Sequence, residues 1–116
     1  MSFDWKEYIR VAKELINKGG EAYLRSGISR AYYGVFCIAR NRTEYRSYTS
    51  SDVHKKVIDY YMRSQNSDEK RIGRTLDTIR RYRNDADYNS DKEIKYEDAQ
   101  RVLIKAKEIL DKLGIR

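Results

Sequence analysis

Proline is absent from this 116-residue chain. Without the residue that most often breaks or kinks a helix, long uninterrupted helices become the natural expectation. Cysteine occurs once, as Cys37, so an internal disulfide is impossible; with no charged-then-apolar segment at the start, a reducing cytoplasm is the expected compartment. No apolar run approaches the ~20 residues needed to cross a bilayer, and no membrane is expected among the partners. Histidine also occurs once, as His54. The Glu-x-x-His pairs of di-iron bundles are missing, as is any Cys, His and carboxylate cluster at zinc-ligand spacing, so neither metal nor cofactor is expected. A glycine-rich phosphate loop is missing too: "GISRAYYG" has too few glycines and lies inside a helical pattern. A serine nucleophile would need His54 as its base, and nothing in the spacing brings the two together. His54 reads as a first-turn helix residue bonded to backbone or solvent, and Cys37 as a small buried apolar residue.

What is present is charge, tyrosine and a helical period. Charged residues make up 37% and hydrophobic residues 40%, and the latter recur with a regularity that disordered chains lack. The length fits a single domain over 1–116, since a chain of this size buries roughly two-thirds of its unfolded surface. Tyrosine accounts for eleven of the fourteen aromatic residues, which suits half-wet cleft walls and interfaces. The net charge of +7 favours an anionic partner, such as nucleic acid, nucleotide, an acidic protein or a membrane surface, although surplus lysine also serves solubility.

Five helical segments follow from spacing. "SFDWKEYIRVAKELINKGG" sets Asp4 three residues before Glu7, a capping-box spacing, and stops at Gly19-Gly20. The second helix runs from Glu21 to about Arg42, with Ile28, Ala31, Tyr32, Val35 and Ala39 on one face. Ser26, Ser29, Arg30, Tyr33 and Cys37 lie on its other side, and Gly27 and Gly34 are tolerated within it at ~0.5–1 kcal/mol each. Close approach by another backbone is the expected reason, so this helix should be covered on two sides. A third helix is predicted over about 52–63 and a fourth over about 68–88, capped by Asn66 or Ser67. The fifth, about 96–113, has the cleanest apolar stripe. No period-two run is long enough for a strand, and the fold class is all-α, an antiparallel bundle of four to five helices.

The chemistry concentrates in "RRYRNDADY", residues 80–88. On an ideal helix Arg80, Arg83, Asn84 and Asp87 share one flank, while Tyr88 falls about 140° from Arg83. Groups so separated line a cleft most easily when a second copy of the helix faces them, which points to a two-fold dimer. Guanidinium forks bind phosphate bidentately, and an asparagine both donates and accepts toward a ribose or base. The competing interpretation is a solvated face on which Arg83 neutralises Asp87 and Arg81 neutralises Asp85.

Taken with "RSGISRAYYGVFCIAR" at 25–40 and "HKKVIDYY" at 54–61, this segment resembles the HEPN superfamily of small helical RNA- and nucleotide-associated domains, and the similarity extends from the first helix to the fifth. "RNDADY" looks like the Arg-x-x-Ala-Asp-Tyr variant of the stand-alone prokaryotic branch. The resemblance implies a dimeric bundle that binds RNA or nucleotide, a toxin-type metal-independent ribonuclease component, or a non-catalytic subunit docked on a nucleotidyltransferase-type protein. Carried over residue by residue, Arg83 matches the arginine of the family's Arg-x4-6-His motif, Asn84 the polar residue after it, and Tyr88 stands where the histidine would. Arg80, Arg81, Asp87 and Arg30 would flank the nucleic acid. The tyrosine matters chemically. Against a histidine with a reference pKa of ~6.5, a phenol at ~10 is ionised about once per thousand molecules at pH 7, a handicap of roughly 4 kcal/mol as a base. Weak or absent activity is the expectation, with Tyr88 left to donate a hydrogen bond or stack on a base.

Overall fold

The apolar stripes close into five helices in a computed structural model that describes residues 2–115: α1 (Lys6–Lys18), α2 (Glu21–Arg40), α3 (Val53–Met62), α4 (Ser67–Tyr88) and α5 (Tyr96–Lys112). No strand occurs among the described residues. The buried faces meet in one continuous core, with Tyr32, Phe36, Tyr61, Ile28, Leu76 and Ile79 among its largest members. α2 is the central helix and packs on each of the other four.

The turn between α1 and α2 is made by Gly19 and Gly20, at φ 72° and 86°, a region that residues with a Cβ rarely enter. The chain reverses there and the two helices run back along one another at close range. A Cβ added to Gly27 would stand 2.5 Å from Ile16 Cγ1, and one added to Gly34 2.7 Å from Ile9 Cδ1 and 3.2 Å from the Trp5 carbonyl oxygen. Both glycines of α2 therefore answer to α1. The close approach that the two glycines permit is thus supplied within the chain.

α4 lies antiparallel to α2 and to α5. Arg25 reaches Asp85 and Ala86, Ser29 reaches Asp87 and Tyr33 reaches Arg83, while Arg71 pairs with Glu108 and Lys112 with Asp68. Asn66 caps α4, its Oδ1 accepting from the Glu69 amide at 3.0 Å. The expected Asp4–Glu7 capping box does not form. The edge-to-face cluster of Phe3, Trp5 and Tyr8 holds Trp5 in helical conformation at the cap position; Asp4 accepts from the Lys6 amide at 3.0 Å, and Glu7 pairs with Arg10 at 3.1 Å. α2 also stops at Arg40, two residues short of the expected Arg42, where the Arg40 carbonyl accepts from the Thr43 hydroxyl at 2.8 Å. No described helix is long and apolar enough to cross a membrane.

Candidate phosphate-binding site

The connection between α2 and α3 folds back over the C-terminal half of α2 and, with the end of α4, encloses a hollow of about 410 Å³. Tyr33, Phe36, Cys37 and Arg40 line it from α2, following the i, i+3, i+4, i+7 spacing of one helical face. Tyr48, Thr49, Ser50 and Ser51 come from the connection, His54 from the first turn of α3, and Arg80, Arg83 and Tyr88 from α4. All three guanidinium groups that line it belong to one chain, so the cleft expected to need a second copy is assembled without one.

Arg83 sits at its base, only 6% exposed. Its Nη1 donates to the Tyr33 hydroxyl at 3.1 Å, and its guanidinium carbon lies 5.2 Å from the ring centres of Tyr32 and Tyr33 and 5.9 Å from that of Tyr88. The ~140° that separates Arg83 from Tyr88 on the helix is spanned by the length of the two side chains. Asp87, the neutralising partner on the solvated-face interpretation, is held at 3.9 Å while it accepts from the Ser29 hydroxyl at 3.1 Å. The Nε atoms of Arg80 and Arg83 are buried, and neither finds an acceptor among the described residues. Buried donors are almost always satisfied, so two orphans on neighbouring guanidinium groups are what an anion site presents.

His54 is the member that spacing did not reveal. Its Nδ1 lies 2.6 Å from the Tyr32 hydroxyl, and its ring stacks on Phe36 at 4.2 Å between centres, so one ring nitrogen is bonded to a side chain of α2. Burial, followed by the positive charges of Arg80, Arg83 and Arg40, pushes the imidazole down to about 4, and it is neutral at physiological pH. Burial likewise carries the Tyr32 phenol well above its ordinary range, although Arg80 and Arg83 oppose that rise.

The remaining residues of the segment part company. Arg81 is exposed and pairs with Asp77 at 2.7 Å rather than with Asp85, Asn84 is exposed, and Arg30 lies over the Tyr8 ring at 5.1 Å beside α1; none of the three lines the hollow. Tyr88 stands at the mouth, 77% exposed. The whole end of α4 is held by Arg25, whose guanidinium donates to the carbonyl oxygens of Asp85, Ala86 and Asn89 at 3.0–3.1 Å and to that of Lys92. Larger grooves exist, one of about 630 Å³ with acidic and basic walls beside α3, an apolar one of about 700 Å³ between α1 and α5, and one of about 500 Å³ along α5 beside Asp68, but none of them gathers orphaned donors. Among the described residues no group of three or more His, Cys, Asp or Glu could hold a metal ion. No family model, curated protein or solved structure matches the chain, and the chemistry of the hollow rests on its own geometry.

Proposed function

We propose that this chain is a HEPN-like RNA- or nucleotide-associated protein that holds a phosphate group on Arg80 and Arg83, with Arg40 at the side and the tyrosines of the rim against the base. The observation that carries the reading is the pair of buried guanidinium Nε atoms without acceptors, on two arginines that line the hollow, with the carboxylate nearest Arg83 held at 3.9 Å. A phosphate supplies the oxygens that those donors lack, and its negative charge offsets part of the positive charge of the three guanidinium groups. Tyr48 and Tyr88 line the hollow while 43% and 77% exposed, which supports a role in stacking on an unpaired base.

The test uses short single-stranded RNA and fluorescence anisotropy. Arg83→Ala and the gentler Arg80→Gln are expected to weaken binding tenfold or more with helicity unchanged, whereas Arg81→Ala, outside the hollow, leaves it within about twofold. Equal loss in all three variants would return the basic residues to a diffuse charged face.

Ribonuclease activity belongs to the same reading only in weak form, because a phenol stands at the motif position and the nearby imidazole is not a ready base. That observation also favours a second reading, a non-catalytic subunit docked on a nucleotidyltransferase-type protein. Clean RNA turnover by the isolated chain counts against it. Homodimerisation, which the resemblance implies, is read by light scattering across micromolar concentrations; a monomer throughout removes it.

A further inference from the structure

Tyr32 is fully buried, and its only hydrogen-bond partner among the described residues is Nδ1 of His54, 2.6 Å away. Two neutral arrangements are conceivable. If Nδ1–H donated to the phenol oxygen, the phenol's own hydrogen would be left in the core without an acceptor, at a cost of about 1–3 kcal/mol. If the phenol donates to Nδ1, both atoms of the contact are satisfied and the ring hydrogen sits on Nε2. That nitrogen is the remaining polar atom of a ring that lines the hollow, and the one hydrogen bond of His54 to another described residue is made at Nδ1. The buried phenol therefore selects the tautomer of the exposed edge.

We infer that His54 is an anion-binding donor of the arginine hollow, its Nε2–H directed at a phosphate oxygen and its tautomer fixed by the Tyr32 hydroxyl, and that it does not act there as a proton acceptor. The inference rests on the phosphate-binding reading and sharpens it: the ligand is a phosphate group read by two guanidinium groups and one neutral imidazole, in a site where the only histidine is committed to holding rather than to abstracting a proton. Burial and then the three neighbouring arginines keep the ring neutral, so it donates without adding a fourth charge to the cluster.

Because the chain has a single histidine, its imidazole nitrogens give unambiguous NMR signals. Long-range proton–nitrogen spectra of the 15N-labelled protein at pH 7 are expected to show the Nε2–H tautomer. Inorganic phosphate should then shift Nε2 more than Nδ1 and raise the His54 titration midpoint. Tyr32→Phe, which removes the donor with almost no change of volume, should populate the Nδ1–H tautomer and weaken phosphate about tenfold, the worth of one hydrogen bond to a charged group. Adding an oligoribonucleotide with and without a 5′-phosphate separates the sources. A response to the phosphorylated strand alone assigns a terminal phosphate and a response to both an internal diester, and either supports the proposal. An Nδ1–H tautomer in the wild-type protein, or an Nε2 signal indifferent to all three ligands, overturns it. If RNA binding that depends on Arg83 persists in that event, the wider reading of the hollow stands and only the role of His54 falls.

Discussion

The Tyr32 hydroxyl and His54 Nδ1 lie 2.6 Å apart inside a ring of guanidinium groups, and this contact ties the acid stability of the bundle to its candidate site. His54 faces Tyr32, Tyr33, Phe36 and Arg40 of α2 and Arg80 and Arg83 of α4. Its pKa is about 4 in the folded chain against 6.5 for the free side chain, so between those values the unfolded state binds the extra proton. Stability from this group is complete above pH 6.5 and declines as pH falls toward 4. Discounted for partial exposure, the loss is about 1–2 kcal/mol. Denaturant titrations at pH 7 and pH 4.5 should show it, His54→Gln should reduce it, and saturating phosphate should shrink it by raising the folded pKa. A pH response identical in wild type and variant would contradict the assignment.

Arg25 is expected to matter for the site without touching a ligand. Its guanidinium gathers four carbonyl oxygens at and just beyond the C-terminus of α4, two of which, those of Asp85 and Asn89, also accept a backbone N–H. Arg25→Ala should cost about 2–4 kcal/mol, in line with several charge-assisted hydrogen bonds lost from a half-buried position. Hydrogen exchange should quicken around residues 85–92 before the rest of α4. Protection unchanged there would show that the helix end holds itself.

Gly73 is a packing requirement of α4. An added Cβ would stand 2.9 Å from the Met62 backbone nitrogen and 2.5 Å from Met62 Cγ, so α3 must move to admit it. Gly73→Ala should destabilise by about 1–3 kcal/mol although alanine is the better helix former by ~1 kcal/mol. Thermal unfolding decides the sign, and a stabilised variant would mean that α3 yields freely.

Salt dependence separates a hollow from a charged face. One phosphate held on Arg80 and Arg83 predicts a slope of log K against log salt of about −0.7 for single-stranded RNA, and strand tracking along a basic surface a slope several times steeper. Anisotropy titrations over a tenfold range of salt read the difference.

The helices were legible because their apolar spacing is local: every stripe, the Asn66 cap and the Gly19-Gly20 stop are written within a few residues of where they act. The reason for Gly27 and Gly34 was legible in kind, as close approach, but not the identity of the neighbour, which is α1. Within the site, Arg80, Arg83 and Tyr88 were found from one segment. Arg81, Asn84 and Arg30 fall elsewhere because helical phase within a flank does not say which side chains a neighbouring helix will cover. Arg40 had a faint signal, one helical face with Tyr33, Phe36 and Cys37. His54 had none. Its place depends on how the connection after α2 folds back, a tertiary outcome that no spacing within α3 encodes.

A crystal structure grown with a 5′-phosphorylated short RNA would test the central claim most directly. The account predicts a phosphate with its oxygens within hydrogen-bond distance of the Arg80 and Arg83 guanidinium groups and of His54 Nε2, and a base against Tyr48 or Tyr88. RNA bound on another face, with the hollow collapsed or its arginines turned outward to solvent, would contradict it.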